Sequence, residues 1–244
     1  MNIFVSSLFD VFNAAACLVS ASRLRRSHKQ KPNVLVRDFF YFYLLFTVFF
    51  ALLAAPVIFH GDLKIVQLFF VFGHLILYLA LSYFIRILFA LIGWRKFLLP
   101  LQLFLAAAGV VVFWVSLRSG DAARIWEIGL AGQRLIAFSH GGAPWARLLI
   151  GLIGGFSGVF FALIMFVRSL RLEDKFLRRR SRWLSYGTFV LGLAALSAFE
   201  FSVFSFYSFG IVVAAEVLAI SGLLLMLKGI FYGRDTGRRN GGVA

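Results

Sequence analysis

The chain predicts an all-α integral membrane protein: a seven-transmembrane helix bundle with its N-terminus outside and its C-terminus cytoplasmic. Three observations carry this expectation. The 244 residues are 61% hydrophobic and 14% charged, against roughly 25% charged in soluble domains. The apolar residues gather into seven continuous runs, each close to the ~20 residues that a helix needs to cross a hydrocarbon core. The basic residues alternate between the gaps. Of the 25 Lys and Arg, all but Lys64, Arg118, Arg124, Arg134 and Arg147 lie in the tail or around the gaps after the first, third and fifth runs. That is the pattern of the positive-inside rule. Continuous runs argue against a β-barrel, whose strands alternate at period two. Backbone groups in lipid must pair within their own segment, so the spans are helices.

Span one, 2–22, has no basic residue before it and Arg23, Arg25, Arg26, Lys29, Lys31 and Arg37 after it. A secretory signal has the opposite polarity. Span two, 38–58, is dense in Phe and Tyr, and Pro56 should kink or end it. The turn His60-Gly61-Asp62-Leu63-Lys64 leads to span three, 65–92, whose inner end carries Arg86. Span four, 97–117, has Pro100 in its first turn, where proline is tolerated.

In the outer segment 118–146, Ile125, Ile128, Leu135 and Ile136 fall on one helical face and Arg124, Glu127 and Arg134 on another. This predicts a short amphipathic helix on the outer surface. Span five, 147–167, has Gly151, Gly154, Gly155 and Gly158, a spacing that lets helices approach closely. A strongly basic loop, 168–183, precedes spans six (184–204) and seven (210–231). The transmembrane domain is thus 1–232, and 233–244 is a short basic cytoplasmic tail. Spans one to three and five to seven share an orientation. A three-plus-one-plus-three repeat of this kind is a transporter plan, and it would set His74 opposite Glu216.

The net charge of +15 sits in short loops beside spans, so it records insertion rather than nucleic-acid binding. The same loops attract anionic lipid headgroups. A single cysteine, Cys17, excludes an internal disulfide. The chain has no GxSxG elbow, P-loop or GxGxxG fingerprint, and no catalytic residue, cofactor or metal is assigned.

Ionisable groups inside a membrane are costly and are functional candidates. Asp10 and Asn13 in span one, His74 in span three, Glu200 in span six and Glu216 in span seven all fall in the outer half of their spans. Carboxylates gathered in a low-dielectric site do not all stay charged unless a proton or a cation offsets them. The expectation is an outward-facing polar pocket that handles a small solute, a proton or a cation, in a transporter or a sensor. Arg86 and Lys228, near inner ends, can snorkel to the interface and carry no assigned chemistry. One alternative is a non-catalytic subunit of a larger membrane complex, recruited by a membrane-protein partner through loops 23–37 and 168–183. A further alternative is an intramembrane metal-dependent hydrolase using His60, His74 and His140, although neither HExxH nor paired-His spacing is present. The composition and loop charge suit a bacterial inner (plasma) membrane.

Overall fold

The computed structural model describes residues 2–93, 96, 98–118, 125–130, 133–138, 144–199 and 209–232. Strand β1 (Asn2–Phe4) runs directly into α1 (Val5–Gln30), followed by α2 (Val34–Ala54), the single turn α3 (Pro56–Phe59), α4 (Leu63–Ile92) and α5 (Leu98–Arg118). Strands β2 (Ile125–Leu130) and β3 (Gln133–Phe138) come next, then α6 (Pro144–Arg171), α7 (Lys175–Phe199) and α8 (Phe209–Phe231). Neighbouring helices pack in the sequence α5, α4, α2, α1, α8, α7, α6, and a light contact between α6 and α4 closes the ring.

Local chemistry explains the helix ends. Asn33 caps α2 by accepting from the Leu35 N–H at 2.8 Å, and Asp62 caps α4 by accepting from Lys64 N–H at 2.9 Å. Each side-chain oxygen satisfies a donor that has no partner within the helix. Pro56 ends α2 as expected: it lacks the N–H that the ladder requires, and α3 restarts at it. Gly93 closes α4 in the left-handed region, at φ 93°, where a Cβ would clash.

Six of the seven long helices among the described residues are long and apolar enough to cross a membrane, which makes this an α-helical integral membrane bundle. The exception to the expected seven is α7. Its first turns carry Lys175, Arg178, Arg179, Arg180 and Arg182. Its apolar part, from Leu184 to the described end at Phe199, falls short of the ~20 residues of a full span. The expected span six runs on to 204, outside the described residues. Even so, α7 lies antiparallel between α6 and α8. Ser181 Oγ donates to Met165 O and Ser185 Oγ to Ala162 O, both at 2.8 Å.

The amphipathic helix expected over 118–146 is replaced, where described, by a hairpin. Strand β2 pairs antiparallel with β3, from Ile125↔Phe138 to Leu130↔Gln133, and β1 adds in parallel on the other side of β3. The physical reason lies in composition. Ile125, Trp126, Ile128, Ile136 and Phe138 favour extended backbone. A helix here would also carry Gly129 and Gly132 internally, each costing about 1 kcal/mol. The chain start supplies the extra strand, which no local pattern could reveal. The sheet lies over the ends of α1 and α8, with Ile136 buried beneath it.

The glycines of α6 set contact distance, as their spacing suggested. A Cβ on Gly158 would lie 2.8 Å from Gly192 Cα, and one on Gly222 2.8 Å from Leu191 N. Gly158→Ala or Gly222→Ala should therefore force α7 away from its neighbour and cost about 1–3 kcal/mol. Thermal unfolding in detergent should fall by several degrees for both, while Gly61→Ala, with open space around it, leaves the midpoint in place.

Candidate functional site

Helix α1 is polar inside and apolar outside. Its buried face carries Ser6, Ser7, Asp10, Asn13, Cys17, Ser20 and Ser27, while Leu8, Val11, Phe12, Leu18 and Val19 are exposed. The i, i+3, i+4 recurrence puts the polar groups on one stripe. A soluble helix would show the reverse, so the outward face suits lipid.

Two candidates come together on this stripe. Asn13 Nδ2 donates to Glu216 Oε2 of α8 at 3.0 Å. Asp10, one turn earlier, lies close enough to Glu216 for their charges to interact. Asp10 is 3% exposed and Asn13 fully buried. Asp10 Oδ1 and Asn13 Oδ1 accept no hydrogen bond from the described residues. The group is thus rich in acceptors and short of donors. A buried acceptor without a donor costs roughly 1–3 kcal/mol, and a proton or a cation would supply what is missing. The β1–β3–β2 sheet sits over this end of the bundle, with Asp10 about 8 Å down α1 from its first residue at helical rise.

Glu216 also lines a partly open cavity of about 80 Å³ between α2, α4, α6, α7 and α8. Its wall is almost wholly apolar, a mixture of phenylalanine, leucine, alanine and glycine. Phe42 stacks on Phe84 at 5.4 Å and tilts against Phe46 at 4.7 Å. Phe49, Phe50, Gly154, Gly158 and Gly192 also line it, and leucines and alanines make up most of the rest. The small residues that let α6 meet α7 therefore also border the space beside Glu216.

His74 is fully buried on α4, whose main neighbours are α2 and α5 rather than α1 or α8. It is not part of the Asn13–Glu216 contact. Glu200 lies outside the described residues. Among those residues, no three His, Cys, Asp or Glu side chains gather closely enough to hold a metal ion. His60 sits at the end of α3 with its ring 5.1 Å from that of Phe4, and His140 is outside the described residues.

Sequence reasoning missed a second polar cluster. Asp38, only 1% exposed, accepts from Arg86 Nε at 3.0 Å, and Arg86 Nη1 donates to Gln102 Oε1 at 3.1 Å. Arg86 does not simply snorkel: it ties α2, α4 and α5 together. Asp38 is the first residue of the predicted span two and was not among the candidates, yet α2 begins a turn earlier and carries it inside. Lys228, also expected at the interface, lies 3.8 Å above the Trp183 ring, a cation–π contact between α8 and α7. The chain matches no protein-family model and no curated protein.

Removing Arg86 should leave Asp38 only its longer contact with the half-exposed Arg37, at 3.7 Å. We expect Arg86→Met to lower stability by up to about 3 kcal/mol, because the buried Asp38 loses its shorter, better-buried partner. The double variant Arg86→Met/Asp38→Leu should recover most of this loss in thermal unfolding. Equal loss in the single and double variants would show that the cost does not come from the buried Asp38 charge.

Proposed function

We propose that the protein conducts or senses a proton or a small cation across a lipid bilayer, with Asp10, Asn13 and Glu216 as the binding group. The observation that carries this reading is the position of Glu216. It belongs both to the acceptor-rich cluster on α1 and to the wall of the partly open cavity. A cavity of about 80 Å³ has room for waters and a small ion and is far below the ~300 Å³ of ordinary ligand pockets. Two carboxyl groups and an amide oxygen are hard ligands suited to a proton or an alkali or alkaline-earth ion. The faces of the phenylalanines lining the approach attract cations. Ionisable groups at such depth in membrane proteins commonly mark ion pathways or proton relays.

In this reading all seven long helices cross the bilayer, with the sheet outside and the arginine-rich ends of α6 and α7 in the cytoplasm. The pairing of β1 with β3 supports a common side for the chain start and the 125–138 hairpin. The basic cluster of α1, α6 and α7 at the other end supports its cytoplasmic assignment.

Two measurements test the proposal. In reconstituted protein, infrared difference spectra should show a carboxyl band that responds to bulk pH or to sodium. That band should vanish in Glu216→Gln and persist in the surface variant Glu173→Gln. Proton or sodium flux into liposomes should fall in Asp10→Asn and Glu216→Gln. A pH- and cation-insensitive spectrum with unchanged flux would sink the reading.

Orientation is tested separately, in a Cys17→Ala background. A membrane-impermeant thiol reagent should label Gly61→Cys in intact cells and Glu173→Cys only after permeabilisation. The reverse pattern would invert the topology.

A further inference from the structure

A second cavity, of about 580 Å³, opens at the basic end of the bundle, where α1 and α2 face α6, α7 and α8. Its lining includes Arg168, Arg171 and Arg180 and no acidic residue. The rest is nearly all apolar, and the two chemistries are separated by depth. Phe161, Leu24 and Phe39 form a buried floor, while Arg168 and Arg171 stand exposed at the rim. Phe161 and Arg168 lie two turns apart on α6, so floor and rim are separated by about 10 Å along the axis. The cavity thus runs from an apolar interior to a cationic mouth over about the length of a headgroup and the upper part of an acyl chain.

We propose that this cavity binds one anionic phospholipid, its phosphate held by Arg168, Arg171 and Arg180 and an acyl chain lying over Phe161 and Phe39. Guanidinium groups match phosphate oxygens in geometry as well as charge. Basic pockets between transmembrane helices select anionic headgroups, and the floor distinguishes a lipid from a soluble anion. The site is separate from the Asp10–Glu216 cluster and does not depend on the ion-handling reading. Its occupant would wedge α2 against α6, two helices that otherwise share little contact. A contrasting hollow on α1, lined by Ser22, Arg25, Arg26 and Lys29, is basic with no apolar floor and serves as an internal control.

The test uses full-length protein, delipidated in mild detergent and titrated with phosphatidylglycerol, phosphatidylcholine or inorganic phosphate under native mass spectrometry. One equivalent of phosphatidylglycerol should bind, with phosphatidylcholine and phosphate much weaker. Arg168→Gln/Arg171→Gln should lower phosphatidylglycerol affinity by about tenfold or more, and Arg25→Gln/Lys29→Gln should leave it unchanged. Met165→Trp, which fills the floor without altering charge, should also weaken binding. Thermal unfolding without added lipid checks that each variant is folded. Equal loss in both charge variants would reduce the effect to general headgroup attraction and overturn the site. Competition by inorganic phosphate at similar concentration would make the ligand a soluble anion and overturn the lipid assignment. Full binding in Met165→Trp would overturn the role of the floor.

Discussion

A hydrocarbon surround offers no hydrogen-bond partner, so the polar groups that a helix brings into this bundle are driven to pair with their own helix, as Ser20 does with Ala16 O, or with another helix. Much of the fold follows from that. Helix α1 turns its serines, Asp10 and Asn13 inward and leaves leucine, valine and phenylalanine outside. Asn13 reaches Glu216, Tyr43 OH reaches Leu223 O, and Arg86 reaches Asp38 and Gln102. Each contact joins different helices, and the first two tie the start of the chain to α8. Packing of apolar side chains gives little preference for one neighbour over lipid, since lipid tails are equally apolar. Polar pairings of this kind help to choose the neighbours.

The second organising feature is close backbone approach. Gly158 against Gly192 and Gly222 against Leu191 bring α6, α7 and α8 together with almost no side chain between them. On the other half of the ring α2 and α4 meet through large aromatic rings, Phe42 on Phe84 among them. Tight packing on one side and bulky aromatics on the other leave the partly open cavity between them, with Glu216 on its wall. The geometry of the candidate site is therefore a by-product of where glycine and phenylalanine fall. The cavity at the basic end arises in a related way, because α2 and α6 are held in one ring without packing directly on each other.

Parts of this were legible in the chain. Apolar runs and their flanking charges located the apolar part of each helix, since burial of an uninterrupted apolar stretch and exclusion of charge are local demands, but α1 runs on to Gln30 and α7 begins at Lys175, inside the segments expected as basic loops. Pro56 and the glycines of α6 also read correctly, because each acts through its own backbone. Asp38 was overlooked because a boundary set by hydropathy stopped at the residue that the helix carries inward. The 125–138 segment was misread because its period admits either structure, and the partner that favours a strand is the chain start, more than a hundred residues away.

The sequence by itself determined the class, the approximate helices and a short set of buried ionisable residues, all consequences of what a bilayer accepts along a single segment. Tertiary structure decided which of those residues meet. It joined Asn13 to Glu216 and brought Asp10 within electrostatic reach of them. It set His74 on another helix pair, gave Arg86 a partner and gathered arginines around an apolar floor. Those outcomes depend on the rotation and the neighbour of each helix, and rotation is fixed by contacts between segments that no reading along one segment contains.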